Sequence, residues 1–150
     1  MVLIIGIGNE YRGDDGAGLV VARRIKELNL HDVRLMEASG EGAALMEAWQ
    51  GAEAVILIDA VYSGGTPGTI YRFDARAESI SAKFFHYSTH AFSVAEAIEL
   101  ARALDQLPPR LIVYGIEGQR FDAGVGLSAA VERATQEVVR RLLREMRAAV

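Results

Sequence analysis

The chain has 150 residues, of which 51% are hydrophobic and 24% charged, and it contains no cysteine. This composition is typical of one globular domain with a single core, which we assign to residues 1–150. The lack of cysteine excludes Cys-ligated zinc or iron–sulfur sites and thiol nucleophiles, and it suits a reducing cytoplasm.

The formal net charge of −4 argues against nucleic-acid binding, which requires a basic surface that neutralises phosphates. Arginines do cluster near the end of the chain, but glutamates are interleaved among them, which is typical of a solvated helix face. No apolar run reaches the length of a membrane span, and the chain opens directly in a strand-like segment. We therefore expect a cytoplasmic protein without membrane contact. No heptad pattern demands self-association, so the sequence is compatible with a monomer and leaves the oligomeric state open.

Short β-rich runs alternate with longer helical patterns along the chain, which predicts a layered α/β domain. The first, third and fifth runs are nearly continuous in Val, Ile and Leu, as central strands are. The fourth alternates in polarity and follows the third after a glycine-rich turn that is too short for a parallel crossover, so it is predicted to be an antiparallel edge strand. The five predicted strands are residues 2–7, 33–37, 54–60, 69–74 and 110–116.

Apolar residues at helical spacing predict three long helices, and a shorter helix is predicted over residues 43–49. The apolar faces consist of Ala17, Val21, Ile25 and Leu28, then of Val94, Ile98 and Ala101, and then of Val131, Ala134, Val138 and Leu142. Ser93 and Glu96 have the spacing of a capping box at the start of the third helix in the chain. Residues 117–127, which include three glycines, are predicted to form a mobile loop.

In open α/β sheets, ligands bind beyond the carboxyl ends of the strands. The segment after the first strand, residues 6–18, reads GIGNEYRGDDGAG. It begins like a dinucleotide fingerprint, but Tyr11 stands where the third glycine belongs. Asp14 and Asp15 also stand where a pyrophosphate would bind and would repel it, so no nucleotide site is expected here.

Acids and one histidine stand at the predicted strand-to-helix junctions. Of the pair Asp14 and Asp15, one is expected to cap the following helix and the other to point into the cleft. Asp59 ends an apolar strand and needs a partner, which is a backbone cap, a cation or a metal. His90 precedes the capped helix, and a lone histidine is more often a packing residue than a ligand. Together two carboxylates and an imidazole suit Zn²⁺, Ni²⁺ or Mn²⁺.

The two remaining histidines, His31 and His86, have no acids in comparable positions, and we assign them to the surface and to a loop, respectively. A serine hydrolase built from Ser63 or Ser88 with His90 and Asp59 is conceivable, although no nucleophile elbow supports it.

Several segments, taken in order, resemble the NiFe-hydrogenase maturation endopeptidases almost from end to end of the chain. The segment at residues 6–18 is quite specific, whereas the others are short and carry weight through their order. Those others are residues 58–61 (IDAV), 88–90 (STH), 115–117 (GIE) and 126–128 (GLS).

The resemblance implies a three-layer α/β/α sandwich, phosphorylase/hydrolase-like, around a five-stranded and mostly parallel sheet. It implies an endopeptidase that removes a C-terminal extension from the large-subunit precursor of a NiFe hydrogenase after nickel insertion. The family's metal contacts fall on Asp15, Asp59 and His90, which form the catalytic set, with no nucleophile assigned. The nickel is expected to arrive with the precursor, and Zn²⁺ or Cd²⁺ can take its place.

Two departures from the family pattern stand out. Many members have Glu at the position of Asp15, and many have a Gly-Gly-Thr loop where residues 39–42 read SGEG, which bears on the hydrogenase that is processed. Two alternatives to the endopeptidase stay open. One is a chaperone that senses nickel through the same three residues without cleaving the precursor, and the other is the serine hydrolase.

Overall fold

The computed structural model describes residues 1–81, 84 and 92–148, and the side chains of all of these except residue 148. Strands and helices alternate in these ranges, and each predicted strand lies within one residue of the observed bounds at either end. The strands are β1 (Val2–Ile7), β2 (Val33–Ala38), β3 (Ala54–Val61), β4 (Ile70–Asp74) and β5 (Arg110–Glu117). The helices are α1 (Ala17–Glu27), α2 (Gly42–Trp49), α3 (Val94–Ala103) and α4 (Ala129–Ala148), with a 3-10 turn (Gly13–Gly16) before α1.

The five strands form one sheet in the order β2-β1-β3-β5-β4. All neighbouring pairs are parallel except β4 and β5, which are antiparallel. The three strands predicted from their apolar runs to be central are indeed β1, β3 and β5, and the prediction of an antiparallel edge strand is confirmed. The carboxyl ends of β1, β3 and β5 therefore lie side by side. We call this end of the sheet the carboxyl edge, which is distinct from the outer strands β2 and β4.

Helices cover both faces of the sheet, because the central strands are apolar on both faces and both must leave water. On one face α1 and α4 pack against each other and against residues such as Ile4, Ile58 and Tyr114. On the other face α2 and α3 pack against residues such as Ile5 and Leu57. The three-layer α/β/α architecture is thus confirmed.

The predicted apolar faces of the helices are confirmed except at Leu28, and the predicted capping box of α3 also needs a correction. Leu28, expected on the buried face of α1, is 47% exposed because the helix ends at Glu27. Ser93 is the N-cap of α3 as predicted, but its hydroxyl donates to the carboxylate of Glu96 and makes no cap bond to the backbone. The reciprocal capping box is therefore absent at this helix.

No helix in the described part of the chain is long and apolar enough to cross a membrane.

Helix α1 crosses the sheet at unusually close range. A Cβ atom on Gly18 would lie 2.2 Å from the carbonyl oxygen of Ile58 and 2.5 Å from that of Ile7. Ile7 is the last residue of β1 and Ile58 lies in the second half of β3, so only glycine at position 18 allows the start of α1 to approach these central strands so closely. This contact sets the position of the segment that precedes α1.

We expect Gly18→Ala to lower the free energy of unfolding by roughly 2 kcal/mol. Overpacking typically costs about 1 to 3 kcal/mol, which outweighs the gain of up to about 1 kcal/mol in helix propensity. Urea denaturation measures the change, and Val20→Ala on the half-buried side of the same helix is the control, with a smaller loss. A Gly18→Ala protein as stable as the wild type would show that α1 can shift without cost.

Candidate functional site

The candidate site lies at the carboxyl edge of the sheet, where three loops meet. These loops follow β1, β3 and β5, and they cover residues 8–16, 62–69 and 118–128. Backbone hydrogen bonds hold them together, because the amide of Gly118 donates to the carbonyl of Val61, the residue at which the loop after β3 begins, and the amide of Asp14 donates to the carbonyl of Arg120. The three loops therefore form one continuous surface above the central strands.

Asp59 is the third residue from the end of β3 and is only 9% exposed. Burial raises its pKa well above the ordinary value, the nearby charge of Asp15 raises it further, and a hydrogen bond with the backbone of Ala60 lowers it in part. The ionised carboxylate of Asp59 is thus destabilised by its surroundings. A buried acid whose charge is disfavoured at a strand end is a candidate functional group.

Asp15 lies in the 3-10 turn after β1 and is half-buried. One of its carboxylate oxygens accepts a hydrogen bond from the amide of Asn9 at 3.0 Å. Because its charge acts on Asp59, the structure brings these two acids together at the carboxyl edge. Two neighbouring carboxylates can bind a divalent cation, which would relieve their mutual repulsion.

His90, the third predicted metal contact, lies outside the described residues, as do His86 and Ser88. Within the ranges that are described, no group of three or more metal-binding side chains is found. The complete set of Asp15, Asp59 and His90 therefore stays a prediction. His31 is exposed, as expected.

Asp14 has a different role from the helix cap that its position suggested. Neither the 3-10 turn nor α1 has a side-chain cap, and Asp14 is fully buried. Its carboxylate accepts hydrogen bonds from the backbone amides of Gln119 (2.8 Å), Arg120 (3.0 Å) and Ser128 (2.7 Å), and from the hydroxyl of Ser128 (2.9 Å). The side chain turns away from α1 because the loop after β5 offers these donors.

The loop after β5 is consequently anchored at several points, contrary to the mobility predicted for residues 117–127. Asp14 holds both of its ends, and its middle pairs with the loop after β1. There the amide of Gly124 donates to the carbonyl of Tyr11 at 2.9 Å, and the amide of Gly13 donates to the carbonyl of Gly124 at 2.8 Å. Glycines in this segment allow the tight path of the backbone without leaving it unattached.

Glu117 is a buried acid whose role the sequence did not reveal. It ends β5 with 1% exposure, and its carboxylate accepts hydrogen bonds from the amide of Ser63 (2.8 Å), the hydroxyl of Ser63 and the hydroxyl of Tyr71 (3.0 Å). An acid directly after an apolar strand is the signal that singled out Asp59, and it applies equally to Glu117. Glu117 fixes the start of the loop after β3.

The same contacts bear on the serine hydrolase alternative. The hydroxyl of Ser63 is already committed to the carboxylate of Glu117, so this serine stabilises a loop. In a Ser-His-Asp triad the serine hydroxyl donates to a histidine, whereas the hydroxyl of Ser63 donates to a carboxylate.

Comparison with known proteins identifies the family. A family model described as hydrogenase maturation protease (HycI) matches residues 19–145. The chain is 32% identical to the hydrogenase expression/formation protein HupD of Rhodobacter capsulatus, over 98% of this chain and 71% of that protein. The chain therefore belongs to the hydrogenase maturation protease family, and it is a peptidase.

Solved structures agree with this assignment. The [NiFe] hydrogenase maturation protease HybD from Thermococcus kodakarensis is 27% identical, with a TM-score of 0.72 over 95% of this chain and 97% of that one. The solution structure of an endopeptidase from Escherichia coli has the same fold, with a TM-score of 0.84 at 22% identity over 99% of this chain and 93% of the other. The family resemblance stated from the sequence is thereby confirmed.

We expect Asp14→Ala to lower the free energy of unfolding by roughly 3 kcal/mol, because hydrogen bonds to a charged group are strong and their buried donors would lose their acceptor. Asp14→Asn keeps the size and one acceptor oxygen, so an intermediate loss is expected. Urea denaturation gives the values. Asp122→Ala, an exposed acid in the same loop, is the control and should change stability by less than about 0.5 kcal/mol. Equal stabilities of the Asp14 and Asp122 variants would contradict the role of Asp14.

Asp59→Asn is expected to stabilise the metal-free protein at pH 7. The folded protein holds the pKa of Asp59 above its unfolded value, so the unfolded chain ionises first as the pH rises, and the folded state loses stability above the ordinary pKa of 3.8. The gain from Asn should shrink as the pH falls toward that value. Urea denaturation with a chelator at several pH values measures this, and a loss of stability at pH 7 would contradict it.

Proposed function

We propose that this protein is the endopeptidase that removes the C-terminal extension of a NiFe-hydrogenase large-subunit precursor after nickel has been inserted. The observation that carries this proposal is the pair of neighbouring carboxylates at the carboxyl edge, where Asp59 is buried beside the charge of Asp15. Membership of a peptidase family supplies the reaction class. We place the reaction in the cytoplasm.

In this proposal the nickel belongs to the precursor and is part of the substrate. Asp15, Asp59 and His90 together form an incomplete oxygen and nitrogen ligand set, which leaves positions for the ligands that the precursor provides. Coordination by these three residues would orient the peptide bond to be cleaved, so that only a metal-loaded precursor is held correctly. Zn²⁺ or Cd²⁺ can occupy the same residues. No nucleophile is assigned.

The decisive experiment mixes the purified protein with a precursor in its nickel-loaded and nickel-free forms. We expect release of the C-terminal peptide from the loaded form alone, and mass spectrometry detects the released peptide. Binding of the loaded precursor without peptide release would instead favour the nickel-sensing chaperone. A serine-directed inhibitor is expected to leave the cleavage unchanged, and inhibition would revive the serine hydrolase.

Variants at position 15 separate charge from size in this assay. Asp15→Asn keeps the size but removes the charge, so we expect nearly complete loss of cleavage. Asp15→Glu should retain partial activity, because its carboxylate on a longer side chain can reach the same metal. His90→Ala should abolish cleavage while the protein stays folded. An Asp15→Asn protein with wild-type activity would show that residue 15 is not a charged metal ligand.

A further inference from the structure

Large hydrophobic side chains are exposed at two separate places in the described part of the chain. One set lies at the carboxyl edge of the sheet and consists of Tyr11 (65% exposed), Tyr62 (45%) and Val125 (76%), one from each of the three loops of the candidate site. We call these residues the apolar rim. The other exposed large hydrophobic residues lie on α3 or near the amino ends of the parallel strands, opposite the carboxyl edge, and they are Met1, Leu28, Leu30, Leu100 and Leu104.

Two members of the apolar rim are brought together by backbone pairing. The amide of Gly124 donates to the carbonyl of Tyr11, and residues 12 and 124 form a parallel bridge. Val125 is the next residue, between two glycines with positive φ angles of 140° and 110°. A Cβ atom on either glycine would meet nothing within 4 Å. Val125 therefore stands at an open turn beside the loop that carries Tyr11.

The third member rests on a buried ring. Tyr62 packs edge-on against Phe121, with ring centroids 5.6 Å apart, and Phe121 is only 6% exposed. Phe121 belongs to the same loop as Val125, so Tyr62 connects the loop after β3 to the loop after β5. The apolar rim thus crosses all three loops of the site.

The apolar rim is held in place by buried acids. Glu117 anchors the amide of Ser63, which follows Tyr62, and Asp14 anchors both ends of the loop that carries Val125. Side chains on an anchored backbone lose less conformational entropy when a partner binds, so their burial contributes more to affinity. Exposed aromatic side chains on a rigid backbone often mark a binding surface, because covering them contributes much of the binding free energy.

The position of the rim identifies that partner. Tyr11 is four residues before Asp15, and Tyr62 is three residues after Asp59. A peptidase acts on a polypeptide, and the rim residues belong to the same loops that flank these two acids. A polypeptide bound at the acids would therefore have the rim within its reach.

We propose that the apolar rim binds an apolar stretch of the precursor polypeptide next to the bond that is cleaved. This inference rests on the proposed function, because it takes the precursor as the substrate. The rim provides affinity for the polypeptide, whereas Asp15 and Asp59 act at the metal. Loss of the rim should therefore raise KM and leave kcat unchanged.

The test compares matched charge substitutions at the two edges of the sheet. We expect Val125→Asp and Tyr11→Asp to raise KM for the nickel-loaded precursor by about tenfold, the effect of losing a contact worth about 1.4 kcal/mol, with kcat within twofold of wild type. The milder Val125→Ser should raise KM by a smaller factor. Leu104→Asp and Leu28→Asp change apolar residues that are 53% and 47% exposed at the opposite ends of the strands, and they should leave both constants unchanged. Equal thermal unfolding temperatures confirm that the variants are folded.

The outcomes separate this inference from the proposed function. If the wild type does not cleave the precursor, the proposed function fails. If the wild type cleaves and Val125→Asp has an unchanged KM, or loses kcat alone, the rim inference is overturned and the proposed function stands. If the wild type sediments as a dimer and Val125→Asp as a monomer, a second copy of the chain covers the rim, which also overturns the inference.

Discussion

The arrangement of the site depends on one buried carboxylate. Asp14 is fully buried, and its four hydrogen bonds come from three backbone amides and a hydroxyl. A buried charge is tolerated when enough oriented donors replace water, and here the donors come from a single loop. The loop after β5 is thereby tied to the loop after β1, and Asp15, the next residue in the chain, takes its position from the same contact.

The three buried acids at this edge differ in how many hydrogen-bond donors surround their carboxylates. Asp14 and Glu117 each collect several donors, and both hold a loop in place. Asp59 is buried too, but the backbone of Ala60 offsets only part of the effects of burial and of the charge on Asp15, so its pKa rises. Acids that are well supplied with donors build the structure, whereas an acid kept at a cost to stability is typical of a functional site.

This division of roles suits a small peptidase that has a protein as its substrate. In the proposed function, recognition of the precursor and cleavage take place at the same edge of the sheet. Anchored loops surround the pair of carboxylates and present exposed side chains beside it. The close approach of Gly18 to β1 and β3 brings the helix start, and with it the segment of Asp14 and Asp15, to that edge.

The layered architecture could be predicted from local periodicity, because the spacing of apolar residues shows which strands are buried and which face of each helix is apolar. The apolar runs of β1, β3 and β5, the alternation in β4 and the glycine-rich turn before it were enough to predict the order of elements and the antiparallel edge. The sequence also predicted that Asp15 and Asp59 lie near each other, and the structure places both at the carboxyl edge. Leu28 was misplaced because the end of α1 is a local detail that periodicity does not fix.

The role of each acid depends on contacts between segments that are far apart in the chain, so it became visible in the folded structure. Asp14 and Asp15 are adjacent and chemically identical, and helix capping was the natural expectation for one of them. The amides of Gln119, Arg120 and Ser128 are more than 100 residues away in the chain, so no local pattern could show that they would surround Asp14. Likewise, Glu117 meets Ser63 and Tyr71 only because β3 and β4 both pair with β5. Hydrogen bonds between distant segments are set by the folded arrangement of the chain, and they decide which buried charge supports the fold and which is left to function.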